Sequence, residues 1–210
     1  MFLTLPTAPP QPSTLQDAHQ LIARLHAQVE QLTSLARLDP LTGIANRRAF
    51  DERLAQAFAH ARRTRTALAV AVFDLDNFKR RNDAYGHAAG DRCLCLLAAQ
   101  LNAHSRAGDI VARIGGEEFA VIMPSTSQVD GAELCRRIAF TLRQGCAAGG
   151  PLTFSCGVAE LDATMLHPSI ILDRADRAMY HAKQSGKDRV CIHQTTFNRA
   201  AAFFGRLGIL

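Results

Sequence analysis

Apolar positions along the chain recur with two different periods, and the two periods separate predicted strands from predicted helices. The unbroken apolar run at 67–73 is typical of a strand that is covered on both faces. Spacing of three to four residues predicts helices instead, among them one capped by Asn46 and one that ends before Gly186. The predicted order is α, β, αα, β-hairpin, α, β, α, β. We therefore expect an α+β fold, with helices packed on one sheet in a βαβ–βαβ-like arrangement.

The N-terminal part of the chain has a different pattern. Residues 1–14 are rich in proline and predict a flexible lead, whereas 15–38 predict a helix. Its apolar residues recur at spacings of three, four and seven; they are Ala18, Leu21, Leu25, Leu32 and Leu35. This pattern favours a short coiled coil that pairs two chains. The alternative is a helix that lies back on its own domain. Residues 39–193 form the predicted globular domain, and 194–210 a helical tail.

Composition narrows the classes of partner. The chain has 210 residues, 48% of them hydrophobic, and a formal net charge of +5, which suits anionic partners such as nucleotides. Aromatic residues make up 6% of the chain, Trp is absent and the basic residues are dispersed, which argues against nucleic acid. No apolar run approaches the ~20 residues of a membrane span. The six cysteines form no CxxC pair and predict buried thiols. We expect a cytoplasmic protein with no membrane partner.

Candidate chemistry first appears in the predicted hairpin at 109–124. Gly115 and Gly116 separate two apolar runs, which predicts a two-residue turn with positive φ at its centre. Glu117 and Glu118 follow directly. A bare backbone lets a phosphate approach, and two carboxylates offer oxygen ligands to Mg²⁺. The alternative interpretation is a hairpin with a solvated acidic tip.

Two aspartates end the buried strand. An uncompensated carboxylate is costly to bury, so acids at a strand end indicate a site. Asp76 has an alternative role, because it can cap the helix that begins at Asn77. Asp74 has no such role and is the better candidate for a metal ligand.

A third set of polar residues falls between the next two predicted helices. Asn82 and Asp91 together suit guanine, because a carboxylate accepts from the two N–H donors of guanine and an amide supplements it. A buried Asp91 would therefore select against adenine. The alternative is that Asp91 is an acid in the first turn of its helix.

Five motifs in this order resemble the GGDEF-domain family, the diguanylate cyclases. They are DPLTGIANRR at 39–48, FDLDNFKRRND at 73–83, RIGGEEF at 113–119, TFSCGVA at 153–159 and ADRAMYHAKQSGKD at 175–188. The resemblance covers residues 39 to about 192 and includes the GGEEF variant of the signature. It implies a palm-like sheet, similar to that of nucleotidyl cyclases and polymerases, and identifies 39–193 as the catalytic domain.

The resemblance also implies a reaction. Two GTP molecules condense into cyclic di-GMP with release of two pyrophosphates, each subunit of a facing homodimer holding one GTP. The dimer would form through the N-terminal helix, through bridging product, or both. The alternative is a catalytically silent module that binds cyclic di-GMP.

Residue roles follow from the same resemblance. The implied ligands of Mg²⁺ or Mn²⁺ are Asp74, the Leu75 carbonyl and Glu117. The implied catalytic residues are Glu117, Glu118 and Lys79. The implied GTP-binding residues are Asn82, His87, Asp91, Gly115, Gly116, Lys183 and Lys187. Arg106 and Asp109 match an RxxD inhibitory site for the product, to which Arg137 would contribute; the alternative for Arg106 and Asp109 is a surface salt bridge.

Overall fold

The computed structural model describes residues 15, 18–26, 37–144 and 150–194. The chain divides into two compact units, Met1–Arg37 and Leu38–Leu210. In the first unit, 18–26 are helical and the side chains of Ile22 and Leu25 are about half exposed. Leu32 and Leu35, the lead at 1–14 and the tail at 195–210 lie outside the described residues. The coiled coil and the helical tail therefore stay predictions.

The second unit is a mixed sheet with helices on both faces. Its strands are β1 (Ala45–Asn46), β2 (Leu68–Leu75), β3 (Ile110–Arg113), β4 (Glu118–Pro124), β5 (Phe154–Glu160) and β6 (Arg189–Ile192). Its helices are α1 (Arg47–Thr64), α2 (Phe78–Tyr85), α3 (His87–His104), α4 (Gln128–Gln144) and α5 (Pro168–Gln184).

The sheet has the strand order β1-β3-β4-β2-β5-β6. Strand β2 lies between β4 and β5 and is antiparallel to both, and β3 and β4 form the antiparallel hairpin. The two outer pairs, β1–β3 and β5–β6, are parallel. All eight residues of β2 are buried, as expected of a strand with neighbours on both sides and helices above and below.

Alternate residues of β2 enter two separate cores. Ala69, Ala71, Phe73 and Leu75 pack with apolar residues of α3 and α4 on one face. Leu68, Val70 and Val72 pack with those of α1 and α5 on the other. The two-residue period of a strand thus supplies both layers.

Helix α5 packs directly on the backbone of β5. A Cβ at Gly157 would lie 2.0 Å from the Ala175 carbonyl oxygen and 2.1 Å from the Met179 amide nitrogen, so only glycine permits this approach. The close contact fixes the end of α5, and with it Lys183, relative to the central strands.

The structure confirms the α+β class and the order of the elements, and it adds the two-residue strand β1, which is too short to show a period. Asn46 caps α1 as predicted, because its side chain accepts from the Ala49 amide at 3.0 Å. Helix α3 begins at His87, earlier than predicted from Asp91, because the chain turns at Gly86 with φ 80°. Asp91 is therefore not in the first turn of α3.

Candidate active site

The end of β2 places one carboxylate beside a lysine. Asp74 is 6% exposed, and its Oδ2 lies 2.7 Å from Nζ of Lys183 on α5. Burial raises the pKa of Asp74, and the hydrogen bond and charge of Lys183 oppose that increase. The buried carboxylate therefore has one cationic partner in contact, and that partner offsets only part of the effect of burial.

The hairpin brings a second carboxylate to the same place. Asp74 pairs with Glu118 in the β2–β4 register, and the Leu75 amide donates to the Glu117 carbonyl at 3.3 Å. Burial raises the pKa of Glu117, and the neighbouring charge of Asp74 raises it further. Two neighbouring acids whose pKa values are both raised by burial form a site that a cation would stabilise.

The oxygen atoms at the end of β2 and in the hairpin are potential ligands of a divalent metal. Within the described ranges no cluster of three or more His, Cys, Asp or Glu side chains is ready to hold an ion. The carboxylates of Asp74 and Glu117 and the Leu75 carbonyl are nevertheless hard oxygen donors of the kind that Mg²⁺ prefers. Mg²⁺ commonly completes such a set with substrate phosphates. The residues thus fit a metal that shares its coordination with a ligand.

The two glycines of the hairpin do not form the predicted turn with positive φ. Neither Gly115 nor Gly116 has φ in the left-handed region, and the connection spans 114–117 between β3 and β4. The prediction of a two-residue turn with positive φ is therefore wrong. A Cβ at Gly115 would lie 2.3 Å from Oε2 of Glu118, whereas one at Gly116 meets nothing within 4 Å. Gly115 makes room for the Glu118 side chain, and Gly116 leaves an open approach.

Asp76 has a structural role that sequence reasoning did not find. Its Oδ1 accepts from Ser155 Oγ at 2.7 Å, and its Oδ2 accepts from Thr153 Oγ1 at 3.0 Å and from the Asp188 amide at 2.9 Å. The suggestion that Asp76 caps α2 is wrong, since α2 has no side-chain cap. The carboxylate instead joins the end of β2 to β5 and to the loop after α5.

The predicted base-reading residues lie on α2 and α3. A Cβ at Gly90 would lie 1.8 Å from Oδ1 of Asn82, so this glycine allows the Asn82 amide to lie against α3. The Asn82 Oδ1 atom is buried and has no hydrogen-bond partner. Asp91 and His87 are both exposed. The premise of a buried Asp91 is therefore wrong for this structure.

The predicted phosphate contacts are placed differently from one another. Lys79 is exposed on α2, whereas Lys183 is held by Asp74. Lys187, in the loop after α5, donates to Asn77 Oδ1 at 2.7 Å. Two of the three ammonium groups thus already have partners at the end of β2, and Lys79 extends into solvent.

The RxxD residues form a turn before β3. The Arg106 amide donates to Asp109 Oδ2 at 2.8 Å, and the Asp109 amide donates to the Arg106 carbonyl at 2.9 Å. Among the ion pairs of the described residues, none joins the Arg106 guanidinium to Asp109, so the salt-bridge alternative is not supported. The exposed Arg106 side chain is thereby available to a ligand. Arg137 is exposed on α4.

Arg113 and Asp39 were missed as functional candidates. The Arg113 guanidinium contacts both Asp39 oxygens at 3.2 Å and donates to the Gly116 carbonyl at 2.7 Å. These residues lie 74 positions apart in sequence. Both residues occur in motifs that resemble those of the family, at 39–48 and 113–119, but nothing in the sequence indicates that they form a pair.

The fold and the site define a palm-like α+β domain with paired carboxylates at the end of its central strand. The chain belongs to the family described as "Diguanylate cyclase, GGDEF domain", which matches residues 36–189. It is 40% identical over 173 residues to diguanylate cyclase DgcP of Pseudomonas aeruginosa, covering 79% of this chain and 25% of DgcP. It is 35% identical over 190 residues to diguanylate cyclase DgcS of Shewanella oneidensis, covering 89% of this chain and 64% of DgcS. The chain thus spans only part of these curated relatives.

Solved structures show the same fold. The GGDEF domain of DgcB from Caulobacter crescentus, in complex with c-di-GMP, has a TM-score of 0.72 and 32% identity, covering 76% of this chain and 94% of that one. The active GGEEF domain of a diguanylate cyclase from Vibrio cholerae has a TM-score of 0.70 and 31% identity, covering 72% of this chain and 98% of that one. In the part of the chain that the structure describes, no helix is long and apolar enough to cross a bilayer.

Proposed function

We propose that this chain is a diguanylate cyclase that condenses two GTP into cyclic di-GMP. The observation that carries the proposal is the position of Glu117 beside the buried Asp74, with Lys183 2.7 Å from Asp74. The site stands at the end of the central strand of a fold shared with proteins named diguanylate cyclases. It combines acids for a metal with cations for phosphate.

The reaction is a double phosphoryl transfer. The 3′-hydroxyl oxygen of each GTP attacks the α-phosphorus of the other and loses its proton. Each attack forms one phosphodiester bond and breaks one α–β anhydride bond, so two pyrophosphates leave. Asp74, Glu117 and the Leu75 carbonyl would hold Mg²⁺ or Mn²⁺, which supplies positive charge to the phosphates. Glu117 is also placed to accept the hydroxyl proton, with Glu118 nearby.

The lysines would bind the triphosphate. Lys183 holds Asp74 without substrate, and a metal at Asp74 would free its ammonium for a phosphate oxygen. Lys187 would likewise exchange its hydrogen bond to Asn77 Oδ1 for one to a phosphate oxygen. Lys79 is exposed and has the freedom to stabilise charge that develops on the leaving group.

Guanine would be read by Asn82 and Asp91, with His87 nearby. Leaving a buried amide oxygen without a hydrogen bond costs free energy. Asn82 Oδ1 is such an atom and would accept a hydrogen bond from an N–H group of the base. Asp91 directly follows Gly90 on α3 and supplies an exposed carboxylate. Binding of the base would have to cover Asp91 for it to discriminate strongly against adenine.

Assembly and regulation complete the proposal. Two sites must face each other, so we propose a homodimer through the helix at 15–38. A coiled-coil and GGDEF-domain structure of DgcB matches 85% of this chain, which supports that arrangement. Arg106, Asp109 and Arg137 would bind cyclic di-GMP as an inhibitor. Arg106→Ala is expected to relieve product inhibition without changing the initial rate. Unchanged inhibition in this variant would contradict the assignment.

The primary test is incubation of the chain with GTP and Mg²⁺, followed by chromatography for cyclic di-GMP. ATP and metal-free reactions are the controls. Formation of the dinucleotide from GTP alone supports the proposal. Saturable binding of cyclic di-GMP without any synthesis would instead favour the silent binding module.

A further inference from the structure

A polar cavity of about 250 Å³ lies next to the candidate active site but contains none of its carboxylates. Helix α2 contributes Arg80, Arg81 and Tyr85 to its wall, and the other side includes Asp76, Asn77 and Thr153. The volume falls just below the ~300 Å³ at which pockets begin to suit drug-sized ligands. The cavity therefore suits a small ligand.

The charges around the cavity favour an anion. Asp76 is its acidic member, and both oxygens of that carboxylate already accept hydrogen bonds from Ser155, Thr153 and the Asp188 amide. The carboxylate is thus turned toward three donors, while two guanidinium groups line the same space. Outside the cavity, the Asp188 carboxylate is held by Arg143 at 2.7 Å.

One of the two guanidinium groups is fixed in place. Arg81 is half-buried and donates through Nη2 to the Pro151 carbonyl at 3.0 Å. Arg80 is exposed and borders the same opening. A guanidinium that is held against the cavity wall and one that is exposed at its opening are donors that match the oxygens of a phosphoryl group.

The cavity is connected to the catalytic residues through its wall. Asp76 and Asn77 directly follow Asp74 and Leu75, and Asn77 Oδ1 holds the ammonium of Lys187 at 2.7 Å. An anion against Asn77 would attract that ammonium toward the cavity. It would thereby remove one proposed phosphate contact from the substrate.

We propose that this cavity is a second site for a small phosphoryl anion, either inorganic phosphate or pyrophosphate, distinct from the GTP site. Binding there weakens the hold on GTP through Lys187. The proposal goes beyond cyclase activity, and the binding experiment below needs no turnover, so its failure is distinguishable from failure of the proposed function.

The experiment titrates phosphate and pyrophosphate separately into the full chain without GTP or Mg²⁺, and records calorimetric heats and the NMR signals of the arginine side chains. Arg80→Glu is expected to weaken binding by at least about tenfold, the loss of one charge-assisted hydrogen bond. Arg63→Glu, which makes the same charge change on α1, is expected to leave binding unchanged. Whichever anion binds more tightly is the occupant.

The variant Lys183→Ala distinguishes anion binding in this cavity from anion binding at the catalytic site. Binding that persists in Lys183→Ala and is weakened in Arg80→Glu supports the proposal. Binding that Lys183→Ala abolishes and Arg80→Glu leaves intact places the anion at the catalytic lysines and overturns it. Absence of saturable binding, or equal weakening by Arg80→Glu and Arg63→Glu, also overturns it.

Discussion

Arg113 binds the carboxylate of Asp39 through Nη1 and the Gly116 carbonyl through Nη2 and Nε. The Asp39 carboxylate also accepts from the amide and hydroxyl of Thr42 at 2.9 and 2.6 Å. Both charged side chains are 16% exposed. Burial alone would raise the pKa of Asp39, but the hydrogen bonds from Thr42 and Arg113 outweigh it and lower the pKa. The loop before β1 thus fixes the tip of the hairpin that carries Glu117.

Arg113→Gln is expected to impair catalysis more than stability. Without the guanidinium, the Gly116 carbonyl loses its donor and the hairpin tip moves relative to Asp74. Small displacements of positioned groups cost rate, so we expect kcat to fall by about tenfold to a hundredfold. Steady-state kinetics and circular dichroism would measure the two effects. Arg47→Gln, which breaks the exposed Arg47–Asp51 pair, is the control and should leave kcat unchanged; equal kinetics for the two variants would contradict the positioning role.

Glu117→Gln tests the chemistry. It keeps the side-chain size but removes the charge, so we expect cyclase activity to fall by at least about a hundredfold, the usual contribution of a positioned acid or base. Glu133→Gln, an exposed acid on α4, is the matched control. The measurement is the initial rate of cyclic di-GMP formation by folded protein. A rate near that of the unchanged chain would remove Glu117 from the mechanism.

The same substitution makes a stability prediction with a definite sign. The pKa of Glu117 is raised above its ordinary 4.5, so the folded state binds this proton more tightly than the unfolded state. Metal-free stability should then fall as pH rises from about 4.5 to the raised value, and stay lower above it. Glu117→Gln should therefore melt at an equal or higher temperature at pH 7 without metal, and lose the stabilisation by Mg²⁺ and GTP. A lower metal-free melting temperature would contradict this account.

Local patterns in the sequence were sufficient to predict the helices and strands and the position of Asp74 at the end of a buried strand. The Asn46 cap and the buried run of β2 depend on neighbours in sequence, and burial of β2 made an acid at its end conspicuous. The Arg113–Asp39 pair and the Asp76–Ser155 bond depend on tertiary contacts between residues 74 and 79 positions apart. Such pairs have no period, and a single sequence contains nothing that singles them out. The reason for Gly115 was missed similarly, because it is the Glu118 side chain and not the backbone angle that excludes a Cβ.

Asn82 and Asp91 make separable contributions to base choice. Asn82→Ala removes a buried acceptor that already lacks a partner, so we expect weaker GTP binding with little loss of stability. Asp91→Ala should reduce both GTP affinity and discrimination against ATP, by about tenfold. Binding of GTP and ATP to each variant would be compared by calorimetry, with the exposed Asp83 mutated to Ala as control. Unchanged GTP affinity in Asp91→Ala would leave Asp91 as an ordinary surface acid.

Lys183 is expected to be important for stability as well as for substrate binding. Lys183→Met leaves the buried Asp74 carboxylate without its cation. Fully buried pairs cost several kcal/mol when one partner is removed, but Lys183 is 33% exposed, so we expect a loss of about 1–2 kcal/mol in metal-free unfolding free energy. Excess Mg²⁺ should recover part of that loss by taking over the charge compensation. Lys79→Met, on exposed α2, is the control and should unfold as the unchanged chain does.

The N-terminal helix provides the last prediction, because the proposed reaction joins two GTP molecules and each hairpin would hold one of them. Pairing through 15–38 would keep two domains at a high effective concentration without adding any contact in the site. Deleting residues 1–36 should then leave GTP affinity unchanged and make specific activity rise steeply with protein concentration. The full chain should give a nearly flat curve, and sedimentation should show it as a dimer. A matched control replaces Leu21 and Leu25 with Ser in the full chain, which should reproduce the truncated curve if apolar pairing is the cause. Flat, superimposable curves for all three proteins would show that the helix does not pair subunits, and would favour its packing on its own domain.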